Sequence, residues 1–499
     1  SRAGTGGGGG AAGLAGVRMK VSVPPWRRLG LPVLTVLVAL LVAVSLLSSW
    51  QQPQSQNLLQ LRAVEVQLQA SVWQGNPELT QLWTQQTLVQ AEQAYRRQQR
   101  LAQRSLDPTD AEQLAQLMGL ALRLGLIQVA RGDIAAAQAT WQEVSQQLPP
   151  GELPQTAQVL QGLWSEPALI YPDAELLLAD HLSGWFEQVA LLRLYELQQR
   201  QAEQAALLAE QQKLAQDAVN RLAVLVGLPV LGGTAGTLLL LGLGGQWLLR
   251  GRQSLLGRAE PPVWSVPWGW EVILQVMGLW FLAFFGLGQV VLPVLVRWCG
   301  LLAWVRTPLG QAVYVLTSYS SLIAAGVAIL VLSLRSYQPL GSPWFHFRVR
   351  GRTLGWAIGG YLVAQPLVFL ASLVNQSLLQ GRGGGNPLLP ILAQTQDPWV
   401  VAIFAFVIVI LAPLFEETIF RGFLLPSLTR TLPLGVAIVL SGVVFALAHL
   451  SVADVLPLTV LGILLGFVYT RERGLWTPIL LHGLWNGGSL VALLVLGHG

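Results

Sequence analysis

Long apolar stretches set the first limit on what this chain can fold into. Eight of them lie near residues 222–249, 270–296, 313–334, 354–378, 398–425, 434–450, 455–470 and 475–497. Each is long enough to cross the roughly 30 Å hydrocarbon layer of a bilayer as a helix. A ninth, Gly30 to Ser48, follows Arg18, Lys20, Arg27 and Arg28. It exceeds the about 7–15 residues of a signal-peptide core, and no small-x-small cleavage site follows it. It therefore reads as an uncleaved anchor with its N-terminal side in the cytoplasm, a cleaved signal being the alternative. The composition agrees: 53% of residues are hydrophobic and 11% charged, against about 25% charged in soluble domains. The fold class is all-α: a polytopic membrane protein with an eight-helix core, an N-terminal anchor and an extramembrane helical domain.

The net charge of +5 does not indicate a nucleic-acid partner. Residues 51–220 hold 10 Lys/Arg and 18 Asp/Glu, and the rest of the chain 20 and 7. The basic excess lies in short loops between spans, where it sets orientation. Arg250, Arg252 and Arg258 mark one cytoplasmic loop, Arg335, Arg348, Arg350 and Arg352 a second, and Arg471 and Arg473 a third. The opposite loop, 379–397, carries only Arg382 and Asp397. This places residues 51–220 on the non-cytoplasmic side, by default of a bacterial cytoplasmic membrane. The single cysteine, Cys299, rules out an internal disulfide framework.

The chain divides into a disordered basic N-terminus (1–29, its first 18 residues an extension before Met19-Lys20), the anchor (30–48), a soluble helical domain (49–220) and an eight-span membrane domain (221–499). In the helical domain apolar residues recur at three and four positions. Leu124, Gly125, Gly132, Ala137, Trp141 and Pro149 have the spacing of one tetratricopeptide repeat, in which small residues admit a crossing helix and a large ring fills the groove. A second helical pair is expected from Ala190 to Ala215. One repeat cannot bury its own face, so a small domain of degenerate repeats is expected, a possible docking module for a protein partner.

The residues that carry chemistry are polar groups inside apolar spans. Glu416 and Glu417 are adjacent within Leu411–Arg421, and each charge costs about 2.5–3.5 kcal/mol at a helix centre. Arg421, four residues on, is placed to pair with Glu417 along one helix face. Glu416 points about 100° away and is free for other work, such as that of a general base whose pKa burial has raised. Phe445 and His449 stand one turn apart on the next span, and His482 and Asn486 one turn apart on the last. The latter two project from one face, suited to hold a water, a metal or a carbonyl oxygen. His181 and His346 read as ordinary surface or interface residues, and His498 is terminal.

Glu-Glu-x-x-x-Arg, Phe-x-x-x-His and His-x-x-x-Asn, in this order on successive spans, resemble the signature of the CPBP family over about residues 350–495. That family groups type II CAAX prenyl endopeptidases with bacteriocin-processing and immunity proteins. The resemblance implies a membrane endopeptidase in which Glu416 activates water with His449 as its partner. His482 and Asn486 would stabilise the oxyanion, and Glu417, Arg421 and Phe445 would support them. It leaves two chemistries open: a metal-free glutamate–histidine site, or Zn²⁺ held by Glu416, His449 and His482. No His-Glu-x-x-His motif is present. The implied partners are membrane lipids and a membrane-associated peptide or protein substrate. Two other classes share the residue pattern: a catalytically silent binding or immunity protein, and a proton-coupled transporter, although the paired halves of many transporters are not seen.

One linear count opposes a shared site. Glu416 falls toward the cytoplasmic end of its span and His449 toward the opposite end of the next. The two meet if the first helix continues to about Leu425, with Pro413 allowing a kink.

Overall fold

A computed structural model describes residues 25–54, 56–75, 77–105, 110–257, 264–341, 344–386, 388–395 and 397–497. Arg18, Lys20, Arg258 and His498, and residues 1–24 of the basic N-terminus, lie outside the described residues. The fold is all-α. Among the described residues the only extended pairing is an isolated bridge between Pro53 and Arg382. In chain order the helices are α1 (Pro25–Gln51), α2 (Gln56–Ala70), α3 (Pro77–Ser105), α4 (Ala111–Ala130), α5 (Ile134–Gln147), α6 (Glu152–Leu163), α7 (Ala174–His181) and α8 (Gly184–Leu197). There follow α9 (Gln201–Gln253), α10 (Trp270–Trp298), α11 (Pro308–Tyr337), α12 (Thr353–Leu379), α13 (Leu388–Gln394), α14 (Pro398–Leu428), α15 (Leu434–Leu447), α16 (Val452–Glu472) and α17 (Trp476–Gly497).

Nine helices among the described residues are long and apolar enough to cross a membrane. One of them, α4, has half of its apolar window buried and belongs to the core of the helical domain. The others are α1, α9 to α12, α14, α16 and α17, and they make this a multi-pass membrane protein. The expected span at 434–450 is the exception. Its helix, α15, has 14 residues, a rise of about 21 Å, well short of the bilayer core.

Helices α2 to α8 and the start of α9 build the helical domain around Leu68, Leu122, Leu126, Trp141, Leu160 and Phe186, all essentially buried. Trp141 is fully buried and its Nε1 donates to Leu122 O at 3.1 Å. The ring lies against Gly125, where a Cβ would sit 2.9 Å from Trp141 Cδ1. Gly132 turns the chain between α4 and α5 with φ of +86°, a conformation glycine adopts without strain. The helical character does not break at residue 220. The helix α9 runs for 53 residues, about 80 Å, from the face of α2 into the membrane region. His181 and His346 act locally: Nδ1 of His181 meets Thr156 Oγ1 at 3.1 Å, and His346 O accepts from Leu475 N at 2.8 Å.

The membrane region has two distinct ends. At one, the loops around His346, Arg352, Arg430 and Glu472 touch one another. Arg352 reaches Glu472 at 3.6 Å and Arg430 binds the carbonyl of Trp268. At the other, residues 381–385, four glycines and Arg382, form a knot. Gln54 N donates to Gly381 O at 2.9 Å, Gly383 N to Gln52 O at 3.0 Å, and Ala453 N to Gly383 O at 3.0 Å. Ser49 Oγ adds a bond to Gly383 O at 2.5 Å. The φ angles of Gly381, Gly383 and Gly384 are +88°, +117° and +70°, and a Cβ on Gly383 would meet Ala453 N at 2.9 Å. The knot therefore fastens the end of the anchor and the start of α2 to the start of α16.

Truncating Trp141 to Ala should cost the helical domain about 3–5 kcal/mol, since a large buried ring leaves a cavity. Hydrogen–deuterium exchange checks this: protection should fall across α4 and α5 and stay unchanged in α16 and α17.

Candidate active site

The site is built on α14, whose last turns are buried on every side: Ile419, Phe420, Phe423, Leu424 and Leu425 are each 3% exposed or less. Two segments of α14 are π-helical, Phe406–Leu411 and Thr418–Leu424. Two others, Ala223–Gly227 and Gly286–Val291, interrupt α9 and α10. Each of the four ends two residues before a proline: Pro229, Pro293, Pro413 or Pro426. A proline cannot donate to the carbonyl four residues back, and its ring collides with it. A turn widened to i→i+5 moves that carbonyl away. Each widening shifts the helical phase, and π-turns are common at functional sites. Here they flank Ala412–Glu417 and so set where Glu416 and Glu417 point.

Glu417 and Arg421 are both fully buried and pair at 2.9 Å. The other arm of Arg421 donates from Nη2 to Gly462 O at 2.9 Å, and its guanidinium lies 4.6 Å from the centre of the Phe445 ring. The carbonyl of Gly462 is within reach because α15 and α16 cross at Gly442 and Gly462. A Cβ on Gly462 would come 2.8 Å from Gly442 Cα. His482 Nδ1 lies 2.8 Å from the same Glu417 oxygen. A carboxylate only accepts, so Nδ1 carries the proton and Nε2 faces the other way. There it stands 3.9 Å from Glu416 Oε2.

Glu416 points into a cavity of about 380 Å³. The cavity is lined by Trp280 and Phe284 of α10, Tyr314 and Tyr319 of α11, Phe415 and Glu416 of α14, His449, and Gly385 and Asn386 beside the glycine knot. Glu416 Oε2 is buried and accepts no hydrogen bond from any described residue. His449 Nδ1 lies 3.0 Å from Phe445 O. That carbonyl can only accept, so Nδ1 is the protonated nitrogen and Nε2 is the basic one. The Phe445 ring packs on both imidazoles, at 5.0 Å from His449 and 5.6 Å from His482.

The depth conflict disappears because two helix lengths differ from a linear reading. The helix α14 continues to Leu428, and α15 stops at Leu447. Measured from the ends these helices share, Glu416 lies about 18 Å and His449 about 22 Å in, at 1.5 Å per residue. Glu416, Glu417, Arg421, Phe445, His449 and His482 are thus brought together. His482 is not among the residues lining the cavity, and neither is Asn486. Its Nδ2 donates to Ile408 O at 2.9 Å, inside the first π-helical segment of α14.

The zinc set read from the sequence does not gather. No group of three or more His, Cys, Asp or Glu side chains among the described residues converges to hold a metal ion. Zinc sites take at least three protein ligands, so Glu416, His449 and His482 do not fit one.

The sequence reading missed Tyr319, Asn386, Asp454 and the glycine knot, all in or beside this cavity. Tyr319 carried a signal: it lies in Thr317-Ser-Tyr-Ser-Ser321, a polar run inside an apolar span. The knot carried one too, a run of glycines in a loop that had been read only for its charge.

Replacing Glu417 with Gln should cost about 3–5 kcal/mol, because Arg421 is left as a buried charge without its partner. The double change Glu417→Gln with Arg421→Met should recover part of that loss. Thermal unfolding in lipid nanodiscs measures both, and equal stability of the three proteins would show that the pair is not a structural keystone.

Comparison with known proteins finds likenesses to membrane peptidases. Residues 398–488, from the start of α14 to the site end of α17, match the family "Type II CAAX prenyl endopeptidase Rce1-like". The chain is 28% identical over 137 residues to "Putative membrane peptidase YdiL" of Bacillus subtilis, covering 27% of this chain and 54% of that protein. It is 25% identical over 183 residues to "Membrane-embedded CAAX protease MroQ" of Staphylococcus aureus, covering 35% of this chain and 71% of that protein. The chain thus spans about half the length of the first relative. No solved structure matches it. Glu416, Glu417, Arg421, Phe445, His449, His482 and Asn486 all fall within residues 398–488, the segment that matches the Rce1-like family of type II CAAX prenyl endopeptidases.

Proposed function

We propose that this chain is a membrane-embedded endopeptidase that hydrolyses a peptide bond of a membrane-associated protein or peptide, with Glu416 as general base. One observation carries the reading. Two adjacent glutamates are separated in role: Glu417 is spent on Arg421 and His482, while Glu416 shares a cavity with His449.

The step follows from these positions. Glu416 takes a proton from a water as the water oxygen bonds to the scissile carbonyl carbon. The carbonyl π electrons move to oxygen, and the resulting negative oxygen is stabilised by His482 carrying protons on both ring nitrogens, Nδ1–H donating to Glu417 and Nε2–H to the oxyanion. When the C–N bond breaks, the proton passes from Glu416 to the leaving amine. His449 Nε2 orients the water and assists that transfer. Asn486 acts through Ile408, holding the widened turn that sets the phase of Glu416, and is a positioning residue. No step is routed through a metal. The aromatic and Tyr-rich lining suits an apolar segment of substrate, and water exclusion by such walls strengthens the site's electrostatics.

The cavity borders the glycine knot, so the substrate enters from the membrane end that faces the helical domain. On the loop-charge argument that end is the non-cytoplasmic one, of a bacterial cytoplasmic membrane. The helical domain, with its tetratricopeptide-like α4–α5 pair, is the docking module for a protein partner or for the substrate.

The test is cleavage of membrane-tethered peptides by the reconstituted chain. Glu416→Gln should lower kcat by about 10²–10⁴-fold, the usual range for a general base, with thermal unfolding unchanged. Unaltered cleavage would remove Glu416 from the chemistry. Prolonged chelator treatment should leave the rate of the unaltered protein the same, and a loss restored by zinc would overturn the metal-free route.

A further inference from the structure

A second concave site lies outside the cavity, where the helical domain meets the membrane region. Arg97, Arg100 and Arg104 of α3 face Gln376, Ser377 and Gln380 at the end of α12 across a cleft of about 300 Å³. The three arginines are spaced i, i+3 and i+7, which puts them on one helix face. Arg96, between the rows, turns away to Glu92 at 2.7 Å. Among the described residues no carboxylate pairs with Arg97, Arg100 or Arg104. This concentration of positive charge is unusual for its setting, since residues 51–220 carry 18 acidic and 10 basic groups.

The floor of the cleft fixes its depth. α12 ends at Leu379, and Gln380 closes it in a left-handed conformation with its N–H on Gln376 O at 3.0 Å. On the same helix, Leu370, Val374 and Leu378 are 57%, 52% and 68% exposed, an outward apolar face that only lipid chains cover. The cleft therefore sits at the boundary between hydrocarbon and water. Its shape is held by the knot: Asn57 Nδ2 donates to Gly381 O at 2.9 Å, and Leu101, between the arginines, packs on Gly381.

We propose that this cleft binds a phosphate oxyanion, supplied by an anionic phospholipid headgroup or by free phosphate. Guanidinium groups bind phosphate oxygens through paired N–H donors. The amides of Gln376 and Gln380 add neutral donors on the opposite wall. A headgroup seated there leaves its acyl chains along Val374 and Leu378. It also bridges α3 to α12, and so ties the helical domain to the membrane region beside the entrance of the catalytic cavity.

The experiment uses the full chain, delipidated and placed in phosphatidylcholine nanodiscs with or without phosphatidylglycerol. Retained lipid is read by native mass spectrometry. In a separate arm, inorganic phosphate is titrated onto the protein in detergent and thermal unfolding is followed. The variant Arg97→Gln/Arg100→Gln/Arg104→Gln should lose preferential phosphatidylglycerol retention by about tenfold or more. A control, Arg62→Gln/Arg193→Gln/Arg200→Gln, removes the same charge from the same domain and should retain it. The single change Arg100→Gln, at an exposed position, gives an intermediate loss and serves if the triple variant does not fold. A midpoint raised by phosphate in the unaltered protein and not in Arg100→Gln assigns the site to free phosphate as well. Equal phosphatidylglycerol retention and equal phosphate response in all variants would overturn the proposal.

Discussion

A glutamate and an arginine that are both fully buried within a lipid-embedded bundle impose conditions on everything around them. Neither charge can reach water, so each must find its counter-charge and hydrogen bonds inside the protein. Glu417 and Arg421 supply each other, but Arg421 also needs the carbonyl of Gly462, and Glu417 also receives His482. The first requirement brings α16 within contact of α14, which the glycines at the α15–α16 crossing permit. The second fixes α17, and the Phe445 ring under the guanidinium fixes α15. One ion pair thereby joins four helices, and the geometry of the site is a consequence of satisfying it.

The same arrangement explains why two neighbouring carboxylates differ in character. Glu417 faces donors on α14 and α17 and is neutralised by them. Glu416, one position earlier, faces a cavity with an imidazole and a set of aromatic walls. Their divergence depends on the widened turns on either side of Ala412–Glu417. Each such turn is set by a proline two residues further on. The cost of a proline in a helix is offset by a change of phase that aims a functional group.

Much of this was legible in the sequence because it is local. The apolar spans, the Glu417–Arg421 spacing, the Phe445–His449 and His482–Asn486 turns and the packing of Trp141 on Gly125 follow from helix periodicity. The glycine knot was not legible as a structure, because its hydrogen bonds join Ser49, Gln52 and Asn57 to residues more than three hundred positions away. Nor was the continuity of α9 through residue 220, where composition changes from polar to apolar and Pro229 is absorbed by a widened turn. Asn486 illustrates the remaining gap. Spacing put it on the face of His482, yet its amide is held by the backbone of another helix.

The sequence by itself determined that this chain is a helical membrane protein and which polar residues are placed inside the apolar spans, since both depend on periodicity and on the cost of charge in hydrocarbon. Only the tertiary structure decided which of those residues meet. The length of α14, the early end of α15 and the phase of the π-helical turns bring Glu416 and His449 to one depth and one cavity. These features arise from packing between helices, where backbone carbonyls, glycine contacts and proline rings adjust to one another, and no single segment carries that information.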